Sequence, residues 1–185
     1  MKKLKIFVDM DDVLVDLLNP WLDELNKYSS FTRMYDDIDQ WNIEKHYRDL
    51  PSECIYRVLS DERFWSKIDA IPKAVTYLKK LIEDGHDVKI ATASRPHSLY
   101  VKVNSCLLQN FPFLDTRNVW CVHDKSLLLG DILIDDYHEN LRHFRGVKIL
   151  KNAPYNKDCD DSCFHFRVNN WEEIYEIVKE VSNLE

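Results

Sequence analysis

Phe7-Val8-Asp9-Met10-Asp11-Asp12-Val13-Leu14-Val15-Asp16 sets four carboxylates within eight residues, directly after the apolar run Lys5 to Val8. A short apolar run of this kind reads as a buried strand. Ligands of open α/β sheets bind just beyond such strand ends. So many like charges repel one another unless a cation neutralises them, and an all-oxygen donor set suits Mg²⁺. The pattern returns in Asp131-Ile132-Leu133-Ile134-Asp135-Asp136, again an apolar strand closed by paired acids. If the two strands are neighbours, their acids converge on one cation. Acids after a strand also serve as helix caps or solvated loop charge, and Asp12 and Asp16 are read in that structural sense.

Outward from this stretch, further β-rich runs span Val88 to Ala91, Val119 to Val122, Val147 to Leu150 and Phe164 to Val168. Helical spacing fills the gaps: Ala74 to Ile82 before Gly85, Ser98 to Leu108, and Asn140 to Phe144. Gly85 suits the position after a helix end. Asn170 with Glu173 has the form of a capping box opening a last helix through Val181. Strand alternating with helix predicts an α/β fold, a Rossmann-like parallel sheet with helices on both faces. The stretch from Leu17 to Pro72 breaks the alternation. It is helical in pattern, rich in acids and aromatics, and too long for a simple crossover. The expected organisation is a core of residues 1–16 and 73–185, with 17–72 as a small helical subdomain inserted after the first strand.

The 185 residues, with 45% hydrophobic and 12% aromatic content, are enough for one packed domain and argue against disorder. A net charge of −7 without a basic patch speaks against binding a nucleic acid polymer or an anionic membrane surface. No run approaches about 18 apolar residues, so no membrane span is expected, and the apolar run before Asp9 is too short for a signal peptide. Five cysteines at irregular spacing (Cys54, Cys106, Cys121, Cys159, Cys163) fit free thiols in a reducing cytoplasm better than a disulfide framework. Cys159, Cys163 and His165 offer zinc ligands but lack a fourth. His123 and His138 have no evident partner.

Two more strand ends carry complementary groups. Thr92-Ala93-Ser94-Arg95 offers hydroxyls and small residues at a helix start, where backbone N–H groups can hold phosphate oxygens. His123-Asp124-Lys125-Ser126 supplies a compact positive charge. Carboxylate nucleophile, second carboxylate as acid and base, hydroxyl, ammonium and metal together make up a phosphoryl-transfer set.

In order, Asp9-x-Asp11-x-Val13, Thr92, Lys125 and Asp135-Asp136 resemble the four motifs of the haloacid dehalogenase superfamily. The Asp9-Met10-Asp11-x-Val13-Leu14-x-Asp16 opening, Asp124-Lys125, and Leu133-Ile134-Asp135-Asp136 are similar to the 5′(3′)-deoxyribonucleotidases. So are Phe64-Trp65 leading to Ile71-Pro72, and the Ala153-Pro154-Tyr155-Asn156 loop. The glycine usual in the first motif is Asp12 here. The resemblance implies a Mg²⁺-dependent phosphomonoesterase acting on deoxyribonucleoside monophosphates through an aspartyl-phosphate. In that scheme Asp9 is the nucleophile and Asp11 the acid and base, while Thr92 and Lys125 hold the phosphoryl oxygens. Asp9, the Asp11 carbonyl, Asp135 and Asp136 form the metal site, one of the last two in contact with the ion and the other behind it. Residues 17–72 become a cap, with Trp41, Ile43 and Trp65 at positions that resemble those packing base and sugar, although Asn42 stands where the family often has an aromatic. The partner is then a small nucleotide, and a homodimer is among the assemblies the sequence allows. A phosphatase for another small phosphoester, or a catalytically silent nucleotide-binding member, remains the alternative. The two acids Asp9 and Asp11 speak against silence.

Overall fold

The computed structural model describes residues 2–184. Six parallel strands form one sheet: β1 (Lys5–Val8), β2 (Asp87–Thr92), β3 (Val119–Cys121), β4 (Ile132–Asp135), β5 (Val147–Lys151) and β6 (Phe166–Val168), in the order β3-β2-β1-β4-β5-β6. The first strand is central because the chain runs outward through β2 and β3 on one side of it and then crosses back to lay β4, β5 and β6 on the other. That reversal opens a crevice at the carboxyl ends of β1 and β4, where this class of sheet binds its ligands. Register places Val8 beside both Ile90 and Ile134, so the residues that follow, Asp9 and Asp135, emerge side by side.

Alternation along β1 explains why both faces are covered. Ile6 and Val8 enter the larger core with Leu78, Leu81, Trp171 and Val178, while Phe7 points to the other face with Leu133, Leu141 and Phe144. The helices are α1 (Leu18–Leu25), α2 (Ser52–Arg57), α3 (Glu62–Trp65), α4 (Ala74–Glu83), α5 (Pro96–Lys102), α6 (Leu108–Asn110), α7 (His138–Arg142) and α8 (Trp171–Asn183). Gly85 follows α4 at φ +90°, a conformation that suits glycine. The side chain of Asn170 accepts the N–H of Glu173 and caps α8. From there the Trp171 indole donates to the Val13 carbonyl at 2.8 Å, fixing the loop after β1.

The expected elements are present with altered bounds. The continuous helix expected over 98–108 is instead α5, a wide turn of five-residue hydrogen bonding at Val103–Leu107, and α6. β6 begins at Phe166 rather than Phe164, and α7 begins at His138 rather than Asn140.

Between β1 and α4 the chain folds into short helices around their own apolar centre of Leu18, Leu22, Leu25, Ile38, Ile43, Tyr47 and Ile55. It leaves and returns side by side. The backbone N–H of Asp16 donates to the Asp69 carbonyl at 3.0 Å and that of Ile71 to the Leu14 carbonyl at 2.8 Å, with Val15 and Ala70 paired between them. The described residues contain no helix long and apolar enough to cross a membrane.

Candidate active site

The loop after β1 is built so that its acids face the crevice. Asp9 continues the strand, its N–H bonded to the Ile134 carbonyl at 2.9 Å. The chain then reverses at Asp12, whose backbone lies in the left-handed region at φ +53°. Asn and Asp tolerate that region because their short side chains bond locally. The Asp12 carboxylate accepts N–H groups of Leu17 and Leu18 at the start of α1, at 3.1 and 2.9 Å. Asp12 thus supplies both the left-handed turn and a cap for the first inserted helix.

Asp9, Asp135 and Asp136 are all buried, and each brings a carboxylate oxygen within 4.8 Å of the others. The ammonium of Lys125, 2% exposed, bonds Asp9 and lies 2.5 Å from Asp135. Burial opposes its charge, but the facing carboxylates of Asp135 and Asp9 hold it above the usual lysine value. Burial pushes the Asp135 carboxyl up to about 6 against the pull of Lys125. Asp136 is raised well above the usual range by burial and by the charge of Asp135.

The two neighbouring acids differ in what they touch. Both oxygens of Asp135 are engaged, by Lys125, the Tyr137 N–H and the Asn140 amide. Asp136 accepts from the Tyr155 hydroxyl on one oxygen and lines the cavity, which Asp135 does not. An oxygen-only cluster of this charge and burial fits a divalent cation. Asp9, Asp135 and Asp136 could hold such an ion; of the three, Asp9 and Asp136 line the cavity, while Asp135 is engaged by Lys125 and Asn140.

Asp11 lies opposite, and its Oδ2 accepts from the Lys102 ammonium at 2.5 Å. Burial, more than the nearby charge of Asp9, raises its carboxyl above the ordinary 3.8 although Lys102 pulls the other way. That direction suits a group that must give up a proton near neutral pH.

Above these groups is a cavity of about 310 Å³. Of the residues singled out from sequence, Asp9, Asp11, Trp41, Ile43, Trp65, Lys125 and Asp136 line it, while Thr92 and Asp135 lie one layer behind. Thr92 is fully buried, its hydroxyl accepting from Lys102 at 2.7 Å. Trp65 is buried and anchored by its indole on the Leu59 carbonyl at 2.8 Å. Trp41 stacks on Tyr137 across the cavity mouth, ring centroids 4.6 Å apart. On another side Arg95 places its guanidinium 4.4 Å over the Tyr56 ring.

Lys102 and Tyr137 were not singled out from the sequence, and Arg95, Asn140 and Tyr155 were read only as parts of a motif or a helix, with no role of their own. Lys102 did leave a trace, as the only Lys, Arg, Asp or Glu between Pro96 and Asn110. His123 lines the cavity, and the buried Nδ1 of His138 has no partner among the described residues. Among the same residues no Cys and His set is close enough to bind zinc, and the five cysteines are free thiols.

A family model described as 5′ nucleotidase, deoxy (pyrimidine), cytosolic type C protein matches residues 2–183. A 5′(3′)-deoxyribonucleotidase of Bacillus subtilis is 36% identical over 175 residues, covering 94% of this chain and 97% of its own. The namesake of Clostridium acetobutylicum is 30% identical, covering 85% of this chain and 86% of its own. Among solved structures, a haloacid dehalogenase family hydrolase of Deinococcus radiodurans with bound phosphate and sodium superposes with TM-score 0.66. It is 11% identical and covers 96% of this chain and 95% of that one. A Bacillus subtilis hydrolase of the same superfamily, bound to magnesium, superposes with TM-score 0.57 at 14% identity, covering 100% of each chain. At such identities the structural likeness establishes the fold.

Proposed function

The chain belongs to the 5′ nucleotidase, deoxy (pyrimidine), cytosolic type C family and is a phosphoric monoester hydrolase of haloacid dehalogenase fold, and from that premise we propose that it dephosphorylates deoxyribonucleoside monophosphates with Mg²⁺. The observation that carries this reading is the convergence of Asp9, Asp136 and Lys125 with Asp11 in one cavity whose upper wall includes Trp41 and Trp65.

In this reading Asp9 attacks phosphorus. The ester P–O bond breaks as Asp11 gives its proton to the departing 5′ or 3′ oxygen, leaving an aspartyl-phosphate on Asp9. Asp11, now a carboxylate, takes a proton from the water that attacks the same phosphorus, and Asp9 is released. Each proton has one carrier in both steps. Lys125 has three N–H donors and two carboxylate partners, so one donor is left for a phosphoryl oxygen. Thr92, expected to hold the same group, sits fully buried behind the cavity wall, where its oxygen accepts from Lys102. Asp9, Asp136 and the Asp11 carbonyl would hold Mg²⁺, with Asp135 orienting the set. Bound there, the cation would supply Lewis-acid charge against the phosphoryl oxygens.

Residues 17–72 act as a cap that excludes water, which strengthens every electrostatic contact beneath it. Trp41, Ile43 and Trp65 give the base and sugar an apolar wall, and a planar base gains from an aromatic face. Phosphate release from dUMP or dTMP should exceed release from sugar phosphates and should require Mg²⁺. A flat or reversed preference would remove the nucleotide assignment.

A further inference from the structure

Lys102 is 1% exposed, yet no step described so far uses it. It lies at the end of α5, and burying an ammonium there is costly unless every donor is met. All three are met. Nζ lies 2.5 Å from Asp11 Oδ2, 2.7 Å from Thr92 Oγ1 and 3.5 Å from the Ala93 carbonyl, with the Trp65 ring at 5.6 Å. A lysine whose three donors are taken has none to offer a phosphoryl oxygen. Lys125, with two partners, differs in this respect.

The two oxygens of Asp11 are therefore unlike. Oδ2 is held by Lys102, while Oδ1 is buried and has no hydrogen-bond partner among the described residues. An unpartnered buried carboxyl oxygen is costly and calls for an explanation. The explanation offered by the geometry is a proton-carrying oxygen reserved for the substrate, since Asp11 lines the cavity.

Building on the hydrolase reading above, we propose that Lys102 is a positioning residue for proton transfer: by gripping Oδ2 it makes Oδ1 the oxygen that protonates the leaving group. As the ester P–O bond breaks, the proton moves from Oδ1 to the departing oxygen and negative charge develops on the Asp11 carboxylate. The fixed ammonium meets that charge without reorganisation, which is how a preorganised site lowers a barrier. Lys102 itself neither gains nor loses a proton. Through Thr92 the same ammonium is tied to the end of β2, and through Trp65 to the inserted helices.

The test compares dTMP with its 5′-bridging phosphorothiolate, in which sulfur replaces the departing oxygen. A thiolate leaves with little need of a proton, while the nucleoside contacts stay the same. The readout is kcat/KM, which covers steps up to departure of the leaving group. K102M should lose roughly 10²-fold on dTMP, the scale of a lost general acid, and only a few-fold on the sulfur ester. Asp11→Asn should show the same split, and K102R should recover part of the loss. Both esters are measured on one preparation, so the ratio does not depend on the folded fraction, and K102Q supplies it if K102M is insoluble. Equal losses on both esters would overturn the proposal in favour of phosphate binding or packing, and so would an unchanged variant. A wild-type protein that hydrolyses no nucleotide would instead sink the nucleotidase reading, and this one with it.

Discussion

Asp12 Oδ1 accepts the backbone N–H of Leu18 at 2.9 Å while the Asp12 backbone holds a left-handed turn at φ +53°. One side chain thus joins the loop carrying Asp9 and Asp11 to the first helix of the insert. Alanine forfeits both services: the lost cap and the strain of a β-carbon in that region together cost about 2–3 kcal/mol. Glycine keeps the turn and loses the cap, and asparagine keeps both. Urea melts should rank stability as Asp12→Asn above Asp12→Gly above Asp12→Ala. Burial also pushes the Asp12 carboxyl up to about 7 from 3.8. The folded protein then holds a proton the unfolded chain sheds, so this group's stability is present at low pH and is lost as pH climbs from about 4 towards 7. The asparagine variant escapes that loss. Without metal, its stability relative to wild type should rise between pH 5 and pH 8, and a constant difference would contradict the assignment.

The acids of the metal site obey the same linkage. Asp135, pushed up to about 6, and Asp136, raised well above its ordinary value by burial and by Asp135, favour protonation in the folded state. Metal-free protein should lose stability as pH rises from about 4 through 6. Mg²⁺ needs these groups ionised, so its effect on Tm should be small at pH 5 and large at pH 8. At a hundred times its Kd the cation adds about 2.7 kcal/mol, roughly 5–10 °C for a chain of this size. EDTA should reverse the shift. A Mg²⁺ effect independent of pH, or one that survives Asp136→Asn, would remove Asp136 from the coordination set.

How much was legible in the sequence follows from how local each signal is. β1 and β4 announce themselves because an apolar run ending in paired acids is contained within about six residues, and parallel register then brings Asp9 beside Asp135. The roles of Asp12 and Asp135 were less legible, since they depend on φ at one residue and on which oxygen meets Lys125, Tyr137 or Asn140. Lys102 was least legible. Its meaning requires knowing that the end of α5 brings an ammonium to Asp11 beyond β1 and to Thr92 at the end of β2, which no periodicity reports. The widened turn after it, Val103–Leu107, was hidden for the same reason.

Trp41 and Tyr137 form a stacked pair that bridges the insert and the core beside the cavity. Trp41 is 57% exposed, so its packing alone contributes little to stability. An aromatic contact of this type is worth about 0.5–1.5 kcal/mol. Trp41→Ala should therefore raise KM for dTMP by about 3- to 10-fold. Turnover of p-nitrophenyl phosphate, which has no nucleobase or sugar, should hardly change. Steady-state kinetics on the two substrates decide the matter: parallel losses would mean that Trp41 supports the insert as a whole and does not meet the nucleoside.

Separate roles for Asp9 and Asp11 require that their amide variants fail differently. Asp9→Asn removes the attacking oxygen but keeps the shape, and Lys125 retains Asp135 as a partner at 2.5 Å. The variant should fold, bind dTMP and lose about 10⁴-fold or more in kcat, the scale seen when a covalent nucleophile is removed. Asp11→Asn leaves the nucleophile in place and removes the proton donor, for a loss of about 10²–10⁴-fold. Beryllium fluoride, which mimics a phosphoryl group bound to a carboxylate, separates the two without relying on rates. It should form an adduct on Asp9 in wild type and in Asp11→Asn, and none in Asp9→Asn. An adduct on Asp11, or one that persists in Asp9→Asn, would exchange the two assignments.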